Sequence, residues 1–73
     1  MMTHMNMMLG DKEVIVFFDS DCKDIVPSAM EMVGKRLSER QVQKIFNILG
    51  LVNITEKEAT LFSLDGEMVS LAL

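Results

Sequence analysis

One cysteine and one histidine bound the chemistry available to this 73-residue chain. Cys22 stands beside Lys23 near the start of an expected helix, a setting that can lower a thiol pKa. His4 lies far away in an irregular N-terminal run, so no Cys–His dyad can be assembled from the sequence. A lone Cys and a lone His do not make a zinc or iron site, and a single Cys forms no internal disulfide. Asp19, Asp21 and Asp24 are spaced like the start of a calcium loop. Such a loop needs Gly at its sixth position and Glu at its twelfth, where this chain has Asp24 and Met30. There is no P-loop, no dinucleotide fingerprint, no Gly-x-Ser-x-Gly, and no Tyr or Trp. A chain this short also has little room for a pocket of about 300 Å³ or more. The expectation is no enzyme: no catalytic residue, no metal and no cofactor.

Charge is the other resource. Eleven acids against seven bases give −4, the wrong sign for a protein that mainly grips phosphate. Yet Lys35, Arg36, Arg40 and Lys44 fall together. Across 35–49 these four bases against Glu39 leave +3, while the other three bases against ten acids leave −7. At 100° per residue, Arg40, Lys44 and Asn47 oppose the apolar stripe of their helix. A solvated face explains such a cluster. The functional alternative is an electrostatic patch for an acidic protein surface.

The elements that must position these groups follow from pattern. Residues 1–11, with five of the eight methionines, show no periodicity and read as a flexible N-terminal tail. A Met-rich surface that orders on a partner is the sharper alternative. The remaining 12–73 form one domain. Residues 13–18 are a strand whose Val14, Val16 and Phe18 point one way and Ile15 and Phe17 the other. Apolar side chains on both faces mean a doubly covered strand or a face kept for a partner. A helix is expected near 24–33, with Asp24 as N-cap, Pro27 in the first turn, an inner face of Ile25, Ala29, Met32 and Val33, and Gly34 as its stop. A second helix is expected over 38–49. Ser38 and Gln41 form a capping box, Leu37 and Val42 a hydrophobic staple, and Val42, Ile45, Phe46 and Leu49 the inner stripe; Gly50 ends it. Strands follow at 51–55, 59–64 and 67–73. Asp65-Gly66 suits a two-residue turn, which would set 62 opposite 69 and put Phe62, Leu64, Val69 and Leu71 on one face. The fold class is α+β in β-α-α-β-β-β order: two short helices on a small, mostly antiparallel sheet with a C-terminal hairpin.

Leu37 to Val42 is similar to the opening of a homeodomain recognition helix. The likeness stops at Gln43, where that family needs a Trp-Phe pair, an Asn for adenine and bases for phosphate. Direct nucleic-acid binding is therefore disfavoured, and a DNA-binding helix-turn-helix-like regulator is kept as an alternative. The length, the mixed order of elements and the lack of an active site resemble the small regulators that lytic bacteriophages use to bind host RNA polymerase. That resemblance implies transcription regulation by a viral protein, through inhibition of initiation or antitermination. It also implies a polymerase subunit as partner and the host cytoplasm as location. One free thiol and no 18-residue apolar run agree with a cytoplasmic protein without a membrane span. The expected partner-binding residues are Arg36, Arg40, Lys44 and Asn47 with Ile15 and Phe17. A monomer is favoured over a homodimeric structural or accessory protein.

Overall fold

The run of β-branched and aromatic residues after Gly10-Asp11 forms the strand that organises the sheet. In the computed structural model, residues 1–46, 50–62 and 67–73 are described, with only the backbone at Phe46. Strand β1 (Met2–Leu9) turns through Gly10 and Asp11 into β2 (Lys12–Asp19), then come α1 (Val26–Arg36), α2 (Glu39–Phe46), β3 (Leu51–Ile54), β4 (Glu58–Phe62) and β5 (Met68–Ala72). These strands form one mixed sheet in the order β1-β2-β3-β4-β5. The β2·β3 pair is parallel and the other three are antiparallel. The α+β class and a mostly antiparallel sheet are as the sequence indicates; the element order gains a strand.

That strand is the correction at the N-terminus. Residues 2–9, expected as tail, pair with β2 in unbroken register from Met2 opposite Asp19 to Leu9 opposite Lys12. The cause is the turn: Gly10 takes φ 67, a left-handed conformation that costs glycine little and lets the chain reverse in two residues. Leu9 then drops into the core, 1% exposed.

The core is a single layer between the helices and one sheet face. Val14, Val16, Phe18, Val52, Ile54, Ala59 and Leu61 meet Val26, Ala29, Met30, Val33, Leu37 and Ile45 there. Three local expectations about α1 change. Ile25, not Asp24, precedes the helix, with no side-chain cap. Its inner face is Val26, Ala29, Met30 and Val33, while Ile25 and Met32 are 37% exposed. The stripe is rotated by about one residue, and its members fall at i, i+3, i+4 and i+7 from Val26. Gly34 continues the helix, lying where a Cβ would sit 3.4 Å from Leu9 Cδ1; the stop comes at Leu37, whose backbone is extended.

The start of α2 agrees with the sequence throughout. Ser38 N–H donates to Gln41 Oε1 at 3.0 Å, and Gln41 N–H donates to Ser38 Oγ at 3.2 Å. Leu37 is buried and Val42 packs against the core. Gly50 has φ 57, and its N–H donates to the Ile45 carbonyl.

The C-terminal pair departs by one residue from the expected register. Phe62 lies opposite Met68 and Leu61 opposite Val69. A slip of one residue exchanges the faces of a strand. Ala59 and Leu61, not Phe62, are the core residues of β4, and Val69 and Leu71 pack beside them. This register buries that set under the helices. Asp65-Gly66, Leu64 and Leu49 lie outside the described residues, as does the side chain of Phe46.

Candidate functional site

The sheet face away from the helices is assembled from every second strand residue. Alternation places Asn6, Ile15, Leu51, Phe62 and Met68 in one row across the five strands, and His4, Phe17, Asn53, Thr60 and Ser70 in the next. In the first row Ile15 is 36%, Phe62 39% and Met68 61% exposed. The His4 and Phe17 rings lie 5.8 Å apart, tilted by 45°. His4 thus belongs to an aromatic contact on this face. Charge here is confined to the ends of the strands: Glu13 at one end, Asp19 and Glu58 at the other, with no Lys or Arg among the described strand residues of the face. At the centre, Asn53 Oδ1 is buried and has no hydrogen-bond donor among the described residues. An unpaired buried acceptor costs about 1–3 kcal/mol.

The expected partner-binding residues do not form one surface. Ile15 and Phe17 are on this open face; Arg36, Arg40 and Lys44 belong to the helix layer on the other side of the sheet. The basic residues are also largely engaged within the chain. Arg36 Nη1 donates to the Ala72 carbonyl of β5. Lys44 Nζ donates to Glu67 Oε2 at 2.7 Å, and Lys35 pairs with Glu31 at 3.1 Å. Arg40 is exposed and has no hydrogen bond or ion pair among the described residues. Asn47 is outside those residues.

Between α2 and the C-terminal strands runs an open groove of about 370 Å³, lined by Arg40, Lys44, Ile45, Phe62, Glu67 and Val69. The groove pairs an apolar floor with the Lys44–Glu67 ion pair and brings in neither Cys22 nor His4.

Cys22 sits in a short 3-10 turn, Ser20–Cys22, after β2. It is a buried free thiol. Burial pushes its pKa up, and the carboxylates of Glu56, Asp19 and Asp21 push the same way. The activation suggested by adjacent Lys23 is thus reversed by tertiary surroundings. Asp19 caps that turn, accepting from Asp21 N–H at 3.1 Å. This bond, and next the N-terminal ammonium, lower its carboxyl pKa. Asp19 and Asp21 of the acidic cluster are thereby joined by the cap of this turn. Among the described residues no three His, Cys, Asp or Glu side chains converge to hold a metal ion, and no helix is long and apolar enough to cross a membrane.

The open face was half legible in the sequence: Ile15 and Phe17 break the alternation of β2. Leu51, Phe62 and Met68 were missed because their placement depends on cross-strand register. Compared with known proteins, the chain gives no match to a family model, to a curated protein or to a solved structure.

Proposed function

We propose that this chain is a small, non-catalytic, protein-binding regulator whose partner is a subunit of the host RNA polymerase, docked on the open sheet face. The observation that carries the protein-binding part is the exposed row Ile15, Phe62 and Met68, with Phe17 beside it, on the face opposite the helices. Isolated exposed apolar residues are ordinary, but a contiguous set on one sheet face is the usual mark of an interaction surface. The polymerase comes from the resemblance in size and architecture, and with it inhibition of initiation or antitermination.

The charges at the ends of this face select the chemistry of the partner. With Glu13 and Glu58 present and no Lys or Arg among the described strand residues of the face, the docked surface is apolar at its centre and basic at its rim. A side-chain donor at its centre would satisfy Asn53 Oδ1. The helix side, with Arg40 exposed, is a separate surface, and Arg40 there contributes electrostatic steering only.

The test is kinetic binding of the purified chain to host RNA polymerase. Wild type should bind, and Phe17→Ser should raise the dissociation rate by about tenfold or more, as for an anchor residue. Arg40→Glu should change the association rate and its salt dependence, with little effect on dissociation. A wild-type chain that does not bind polymerase sinks the choice of partner. Binding that Ile15→Ser and Phe17→Ser both leave unchanged sinks the choice of face.

A further inference from the structure

We propose that β1 is a dimerisation strand: two copies of the chain pair edge to edge, antiparallel, through Met2–Met8. This stands apart from the regulator reading, since it rests on backbone groups and not on the open face.

β1 lies at the edge of the sheet and, among the described strands, has only β2 as neighbour. Its inward bonds are fixed by two observations. Ser20 N–H donates to the Met1 carbonyl at 2.9 Å, and the two-residue turn makes Leu9 and Lys12 the last pair. In an antiparallel ladder, bonded and non-bonded pairs alternate. The odd-numbered residues of β1 therefore bond β2, and Met2, His4, Asn6 and Met8 aim their N–H and C=O groups outward.

Such an edge is normally protected by shortness, charge, proline or a bulge. β1 has none of these. It is eight residues long, MTHMNMML, with no Asp, Glu, Lys, Arg or Pro, in a chain that is 25% charged. Its register with β2 is unbroken. The other edge, β5, has five residues, and Arg36 takes up the carbonyl of its Ala72.

A second copy fits this edge because the strand is complementary to its own reverse. With the two-fold axis at Met5, Met2 meets Met8 of the second copy and His4 meets Asn6. Every outward residue then faces an outward residue, giving four mutually bonded pairs and about eight hydrogen bonds. No like charges meet. Methionine meets methionine at Met2–Met8 and at Met5–Met5, where the flexible thioether adapts to a mirrored neighbour. The product is one continuous sheet with both open faces on the same side.

The experiment is sedimentation velocity of the full chain from low micromolar to several hundred micromolar. The mass should rise with concentration from 8.2 kDa toward twice that value. Asn6→Pro removes an outward N–H and no bond within the chain, so the fold should persist while association weakens about tenfold or more. Met7→Pro, whose N–H faces β2, should instead destabilise the fold. A second pair of variants keeps the test independent of proline. H4K with N6K, and H4E with N6E, should each be monomeric and should form a one-to-one complex when mixed. A wild type that stays at 8.2 kDa throughout overturns the proposal, even if another protein's strand pairs with β1. So does an Asn6→Pro chain that dimerises like wild type, or charge variants that fail to combine.

Discussion

Two isoleucines on opposite faces of the sheet give the sharpest check of the layer arrangement. Ile54 is fully buried between Phe18 and Ala59 on the helix side, while Ile15 in the neighbouring strand is 36% exposed. Ile54→Ala removes three carbons, about 2.4 kcal/mol of transfer free energy at ~0.8 per carbon. The cavity left in a closed layer adds about 1 kcal/mol, for a total of about 3.5. Ile15→Ala loses about two-thirds of that transfer term, roughly 1.5 kcal/mol, and water or neighbours fill the open side. A domain of this length has only about 4–11 kcal/mol in all. Urea unfolding followed by circular dichroism, with a slope of about 1 kcal/mol/M, should separate the two midpoints by about 2 M. One protein concentration must be used throughout, so that association contributes equally. Equal midpoints, or a larger loss for Ile15→Ala, would refute the assignment of the helices to the Val14-Val16-Phe18 face.

Other positions test single features. Gly50→Ala should cost about 1–3 kcal/mol, since φ 57 is unfavourable for alanine and the new Cβ would meet Val14 Cγ1 at 3.0 Å. Gly10→Ala, with φ 67 but open space around it, should cost only about 1 kcal/mol; thermal melts of the two variants distinguish them. Ser38→Ala should lose about 1 kcal/mol in the same assay, because the Gln41 N–H loses its acceptor. Cys22 should react with a disulfide reagent only as fast as the structure opens, and at the full thiol rate in denaturant. Its raised pKa means the folded state holds the proton longer than the unfolded chain. The associated stability is therefore present below the ordinary value of 9.0 and is lost as pH rises through the folded value; stability that increases over that range would contradict it.

What could be read in the sequence was what neighbouring residues decide. The Ser38–Gln41 box, the left-handed Gly50 and the alternation of Val14, Val16 and Phe18 are local, and each stands in the structure. β1 escaped notice because Met, Asn and His carry little strand preference of their own; pairing with β2 makes the strand. The Gly10-Asp11 turn was its one local signal. The register of β5 and the inner face of α1 are set by what lies across the core, which pattern alone leaves ambiguous by one residue. The same holds for the site: the placement of Ile15 and Phe17 on the face opposite Val14, Val16 and Phe18 was visible in β2. Their separation from Arg40 and Lys44 by the thickness of the sheet is a property of the layers.

The parallel pairing of β2 with β3 divides the molecule in a way the strand order conceals. β1 and β2 are joined by a tight turn, and β3, β4 and β5 follow one another along the chain, so each group can zip locally. Val16 beside Val52 and Phe18 beside Ile54 join the groups, with both helices inside the loop they close. Closing that loop carries the largest entropic cost of any strand pairing in the sheet, so the β2–β3 junction should form last and limit the folding rate. It should also be where the chain can be divided. Fragments 1–37 and 38–73, cut between α1 and α2, should each be poorly ordered alone and should recombine on mixing into the native sheet, with Arg36 bonded again to the Ala72 carbonyl.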